Sequence, residues 1–185
     1  MNSILVTIFL MIAGLKGFSQ SISKLNSNYG FKEYKLESLY KQEYGNKERD
    51  YDGSDVVSIE NQVDYINDIP IEKIKLFFLS DSLVRIVVFI DENQSKKLSD
   101  ALIASFGKET KYKSDWDIKE GSKKPYFNKY IWIANKFTLV LYESRYPTSF
   151  WDKPRRGTIS LTYELKDYEK RLERMKHSKY SSNDF

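Results

Sequence analysis

The chain has 185 residues with a formal net charge of +4, one histidine and no cysteine. Without cysteine there is no disulfide framework, and the single His177 largely excludes Ser-His-Asp, Cys-His and His-rich zinc arrangements. Basic and acidic residues are interspersed and the charge excess is mild, which argues against a nucleic-acid partner.

The first residues are typical of an export signal. Residues 4–15 are apolar but shorter than the roughly 20 residues that span a bilayer. Gly17 and Ser19 are small residues that precede a predicted cleavage site. Cleavage there leaves Gln20 as the N-terminus of the mature chain. The alternative is a buried N-terminal strand or an uncleaved anchor. We expect a signal peptide at 1–19, no transmembrane segment after processing, and a periplasmic or extracellular protein.

The first half of the mature chain contains one strong hairpin signal. Apolar spacing in 36–44 predicts a short helix ended by Gly45. A polar loop follows, and alternation in 57–65 then predicts a strand. The runs "IEKIKLFFL" and "LVRIVVFI", separated by "SDS", predict an antiparallel hairpin within 71–90. The next helical stripe ends at Gly107.

The second half adds strands and a final helix. Residues 108–125 are polar and predict a long loop, after which "YIWIA" and "FTLVLYE" flank a tight "NK" turn. The segment "TISLTYEL" predicts a last strand. We expect a single two-layer α+β domain at 20–165, with a mainly antiparallel sheet of about five to seven strands packed against two or three helices. Residues 166–185 are expected to form a C-terminal amphipathic helix and a polar tail.

The order of elements from Ile71 to Lys108 carries a resemblance. A hairpin with "DSL" at its turn, followed by a helix closing in "FGK", resembles a module of small exported bacterial proteins of unassigned function. The likeness extends loosely to about residue 165. It implies an α+β fold and an envelope location, and it carries over no catalytic residue.

The segment "RYPTSFWDKPRR" is the main candidate for a binding surface. Basic and aromatic side chains alternate in it, and binding hot spots favour Arg, Tyr and Trp because they combine large area with directional donors. In the alternative interpretation, the aromatic rings fold back onto the sheet and the cations are solvated. The candidate residues are Arg145, Tyr146, Phe150, Trp151, Lys153, Arg155 and Arg156.

The segment "SDWDIKEG" is a second candidate. Its carboxylates would suit acid/base hydrolysis if two of them were held at the right separation, although charged loops often carry such acids without a catalytic role. The candidate residues are Asp115, Trp116, Asp117 and Glu120. Residues 48–59 match a calcium loop in part, but Ile59 stands where the bidentate carboxylate is required.

Together these patterns predict a non-enzymatic binding or interaction module of the cell envelope. Its expected partner is another envelope protein or an acidic polymer. The alternative is a carboxylate-dependent hydrolase acting on envelope carbohydrate. The glycines form no phosphate-binding loop, and we predict no cofactor, no metal and no catalytic residue.

Overall fold

The computed structural model describes residues 23–60, 64–115, 126–145 and 157–181. Its helices are α1 (23–27), α2 (Ser95–Phe106) and α3 (Tyr168–Ser181), and short 3-10 turns lie at Gln42–Tyr44 and Glu92–Gln94. The strands are β1 (Gly30–Phe31), β2 (Tyr34–Lys35), β3 (Glu48–Arg49), β4 (Asp55–Glu60), β5 (Tyr65–Ile66), β6 (Ile69–Leu79), β7 (Ser82–Ile90), β8 (Lys111–Asp115), β9 (Tyr126–Ile133), β10 (Phe137–Arg145) and β11 (Thr158–Leu165).

An antiparallel sheet of nine strands dominates the described part of the chain. Its order is β3-β4-β6-β7-β11-β10-β9-β8, with β5 paired to β6, and β1 and β2 form a separate hairpin. The α+β class with a mainly antiparallel sheet is therefore confirmed. The sheet is larger than the predicted five to seven strands, because β3 and β8 lie in segments predicted as loops and β5 is a separate two-residue strand near the end of the single strand predicted at 57–65.

One face of the sheet, the inner face, carries the main core. A single cross-strand row runs through β6, β7, β11, β10 and β9, and every member is at most 3% exposed. Burying each such side chain stabilises the fold by about 1.5–3 kcal/mol. The row consists of Leu76, Ile86, Tyr163, Leu139 and Trp132.

The predicted hairpin is formed by β6 and β7. Ser80 and Asp81 both have positive φ, at 48° and 64°, as a two-residue type I′ turn requires. Leu79 pairs with Ser82 across this turn. The strands consequently twist together in the register that buries the predicted row of Ile74, Leu76 and Phe78.

Helix α2 covers the inner face through Leu98, Leu102 and Phe106. It ends at Gly107, as predicted, where φ is 78° and the backbone N–H donates to the Ile103 carbonyl. The indole N–H of Trp132 donates to the Gly107 carbonyl at 2.8 Å. The end of the helix is thereby fastened to β9.

Helix α3 covers one end of the opposite, outer face. Val56 and Phe77 lie there, and both are buried. The Arg85 guanidinium of the same face lies 3.8 Å from the Tyr168 ring, and Leu172 is buried one turn further along α3. Helices thus occur on both faces of the sheet, which the predicted two-layer arrangement does not include.

The predicted helix at 36–44 is wrong. Only Gln42–Tyr44 forms a 3-10 turn, whereas Leu39 forms a β-bridge with Ser82. The Glu37 N–H donates to the Leu83 carbonyl at 2.7 Å, so the segment is held extended against the start of β7. Tertiary hydrogen bonds override the local helical spacing.

The predicted long loop at 108–125 also needs correction. Lys111–Asp115 forms strand β8, which pairs with β9 at one edge of the sheet. The described residues of β8 are exposed, so the strand lacks the apolar alternation by which strands are recognised. Residues 116–125 lie outside the described part of the chain.

Candidate functional site

Most of the predicted site residues lie outside the described residues. The basic and aromatic candidates from Tyr146 to Arg156 are among these, and so are Trp116, Asp117 and Glu120. Only the backbones of Arg145, at the end of β10, and of Asp115, at the end of β8, are described. The structure therefore places the points from which the two candidate segments leave the sheet.

Both segments leave from the same end of the sheet. Asp115 is opposite Phe127 of β9, and Phe127 is opposite Ser144 of β10. Because neighbouring strands are about 4.8 Å apart, Asp115 and Ser144 are separated by roughly 10 Å. Ser144 is in turn opposite Thr158 of β11, which brings together the two ends of the segment predicted to bind.

Three lysines lie together on the outer face beside this end. Lys113 of β8 is directly opposite Lys129 of β9, and Lys111 is two residues away on the same face. Lys111 and Lys113 are exposed and Lys129 is half-buried. Among the residues that the structure describes, none of the three forms an ion pair. We call Lys111, Lys113 and Lys129 the lysine cluster.

Among the described residues, no carboxylate forms an ion pair with the lysine cluster. Like charges directly opposite one another in a sheet destabilise it, by up to about 1 kcal/mol for each pair. Several lysines elsewhere in the described chain do pair with carboxylates: Lys32 with Asp64, Lys47 with Asp81, Lys73 with Glu60 and Lys97 with Asp68.

Edge protection explains only part of this cluster. Lysines on an edge strand prevent it from pairing with another sheet, and β8 is an edge strand. That role accounts for Lys111 and Lys113. It does not account for Lys129, because β9 is paired on both sides.

An aromatic pair lies next to the cluster. The rings of Phe127 and Tyr142 are stacked with centroids 5.7 Å apart and an interplanar angle of 29°. Tyr142 is directly opposite Lys129, so cations and rings share one face. We call Lys111, Lys113, Phe127, Lys129 and Tyr142 the outer basic surface.

The inner face at the same end of the sheet carries a polar network. The Ser95 hydroxyl donates to Glu143, and the Asn128 side-chain amide donates to the same carboxylate at 3.2 Å. The Tyr112 hydroxyl donates to the Asn128 carbonyl oxygen at 2.8 Å. Burial, together with the charge of Glu143, raises the pKa of Tyr130 nearby. The network ties the start of α2 to strands β8, β9 and β10.

Two further carboxylates near this network also accept hydrogen bonds from backbone N–H groups. Glu92 accepts the Gly157 N–H at 2.5 Å, and Asp91 accepts the N–H of Asn93. Both line an open cleft of about 350 Å³ at this end of the sheet. The described residues contain no group of three or more acidic or His side chains placed to hold a metal ion.

Comparison of the chain with known protein families, with curated proteins and with solved structures found no match in any of the three. Within the described ranges, no helix is both long enough and apolar enough to cross a membrane.

Proposed function

We propose that this protein is an exported, non-enzymatic envelope protein that binds an acidic polymer. The outer basic surface and the adjoining segment 145–156 form the binding face. The observation that carries the proposal is the pairing of Lys113 directly opposite Lys129 without a neutralising carboxylate among the described residues.

The spacing of the cations favours a polymer over a single small anion. Lys111 and Lys113 are separated by two residues of strand, about 6.6 Å, while Lys113 and Lys129 are about 5 Å apart between Cβ atoms. A chain with an acidic group on each repeating unit would meet several of these ammonium groups at once. The outer face of the sheet and the stacked Phe127 and Tyr142 rings give such a chain a surface to lie on.

The strand ends that bound segment 145–156 lie at the same end of the sheet as the lysine cluster. It joins β10 to β11, whose ends are held in register by the pair Ser144 and Thr158. Binding residues are often carried on loops that a rigid scaffold positions. Its basic residues would add to the positive potential of the cluster, which attracts polyanions and is weakened by salt.

Binding to poly-L-glutamate tests the proposal. The double variant Lys113→Ala/Lys129→Ala is expected to bind about tenfold more weakly than the native chain at low salt, a loss of about 1.4 kcal/mol. The matched control is Lys170→Ala/Lys176→Ala, which removes two exposed lysines from α3 and should change the affinity less than twofold. Isothermal titration calorimetry at two salt concentrations measures the affinity of both double variants for poly-L-glutamate. Uncharged dextran is the negative probe.

Equal losses in the two double variants would mean that only net charge matters, and the proposed surface would be wrong. The contribution of segment 145–156 to binding is tested separately with the double variant Trp151→Ala/Arg155→Ala. Unchanged affinity in that variant would restrict the binding face to the lysine cluster and its aromatic pair.

A further inference from the structure

A second cleft lies on the inner face, away from the outer basic surface. It has a volume of about 260 Å³ and is bounded by α2, by the turn between β1 and β2 and by the turn between β5 and β6. Its walls are mainly apolar and aromatic, and they include Phe31, Ile66, Leu102, Phe106, Leu161 and Tyr163.

Tyr163 gives this cleft a hydrogen-bonding group. Its side chain is 3% exposed and packs against Phe31 and Phe137, with ring centroids 6.0 and 6.1 Å away. Its hydroxyl has no hydrogen-bond partner among the described residues, whereas the buried Tyr168 hydroxyl donates to Asp52. A buried polar group without a partner is uncommon in a folded protein.

The Tyr163 side chain lines the cleft, and its oxygen is not sealed from solvent. In the described part of the chain, Ser38 Oγ is the one side-chain polar atom that is both sealed from solvent and without a partner. The Tyr163 oxygen also has no partner among the described residues, but it differs from Ser38 Oγ because it is not sealed. Burial raises the pKa of Tyr163, so the group stays a neutral hydroxyl that can donate and accept.

The cleft offers no unpaired charge among its described residues. Lys32 lines it, but its ammonium group is paired with Asp64. The other polar groups are neutral, among them the amide of Asn28 and the hydroxyl of Ser105. An ionised ligand would find no counter-ion here, and it would lose its hydration on entering.

We propose that this cleft binds a small uncharged molecule with an apolar ring and one hydroxyl or carbonyl group. The ring would lie between Phe31, Phe106 and Leu102, and the polar group would pair with the Tyr163 hydroxyl. The volume lies just below the range of about 300–1,000 Å³ usual for drug-sized ligands, which fits a substituted benzene. This site is independent of the polymer surface, because Tyr163 and Lys129 lie on opposite faces of the sheet.

Two probes that differ by one hydroxyl test the site. We expect 4-ethylphenol to bind saturably in an NMR titration, with a Kd of about 1 mM or tighter, and ethylbenzene to bind more weakly. Tyr163→Phe should weaken 4-ethylphenol binding by about three- to tenfold and leave ethylbenzene binding unchanged. Tyr51→Phe removes a hydroxyl from a fully exposed side chain and is the matched control. It should leave the binding of both probes unchanged.

A second variant tests the place of binding without altering Tyr163. Ala101 lies on the cleft wall, so Ala101→Leu should fill the cleft and abolish binding of both probes. Ala104→Leu makes the same change on the exposed side of α2 and should leave binding intact. The proposal fails if neither probe saturates, if Ala101→Leu binds like the native chain, or if anionic 4-ethylbenzoate binds more tightly than 4-ethylphenol.

Discussion

Replacing Tyr168 by phenylalanine is expected to lower the free energy of unfolding by about 1.5–3 kcal/mol at pH 7. Tyr168 is 1% exposed, and its hydroxyl donates to the Asp52 carboxylate. Asp52 also accepts the N–H of Ser54 at 2.9 Å and its hydroxyl at 2.7 Å. The variant would leave a partly buried carboxylate with one donor fewer. Urea denaturation measures the loss.

The dependence of this loss on pH identifies its cause. Burial raises the pKa of Asp52, but the hydrogen bonds from Tyr168 and Ser54 and the charge of Arg85 outweigh burial, so the net pKa is lowered. A group with a lowered pKa stabilises the fold above its unfolded pKa, about 3.9, and this stabilisation disappears as pH falls through the folded pKa. The difference between native chain and variant should be full at pH 7 and shrink below about pH 4.

Tyr112→Phe is the control for this pH dependence. It also removes a tyrosine hydroxyl from a hydrogen bond, but the acceptor is the neutral side chain of Asn128. Its effect on unfolding should be about 0.5–1.5 kcal/mol and independent of pH in the acid range. If Tyr168→Phe showed an equal loss at pH 3 and pH 7, the bond to ionised Asp52 would not be its cause.

Local patterns are sufficient to predict the central hairpin and helix α2, which follows it. β6 and β7 are long and apolar, and the two-residue turn at Ser80 and Asp81 closes them at the predicted place. Gly107 ends α2 because it adopts positive φ, a conformation that glycine reaches without strain. In each case the physical cause lies within a few residues of its effect.

Features that depend on distant partners were not predicted. The extended chain at 36–44 is set by bonds to Leu83 and Asp81 in another part of the sequence. Strand β8 carries one aromatic residue, Tyr112, between Lys111 and Lys113, and a segment this polar is typical of a loop.

The same limit applies to both proposed sites. The lysine cluster exists because the register of β8 against β9 sets Lys113 opposite Lys129, and register is not readable from either strand alone. The Tyr163 hydroxyl likewise has no partner among the described residues because of how distant elements pack around it, which its own segment does not show. Arg145 and Asp115 are predicted site residues. The fold brings the ends of their strands, β10 and β8, to the same end of the sheet.

Replacing Lys113 by glutamate should change stability and polymer binding in opposite directions. The pair opposite Lys129 would become attractive, which should raise the free energy of unfolding by about 0.2–1 kcal/mol. Binding of poly-L-glutamate should weaken by at least about 30-fold, because a cation is lost and a repelling carboxylate stands in its place. Urea denaturation and titration of the same preparation measure the two effects.

Lys170→Glu makes the same charge change on α3 and serves as the control. Helix α3 contacts β6, which lies four strands from β9, so we expect less than a threefold loss of binding. A stability gain joined to a large binding loss at Lys113 would mean that the chain keeps a repulsive pair because a ligand neutralises it, the trade-off expected where function opposes stability. If Lys113→Glu bound the polymer as well as the native chain, the repulsion would have no functional counterpart, and the proposed function would fail.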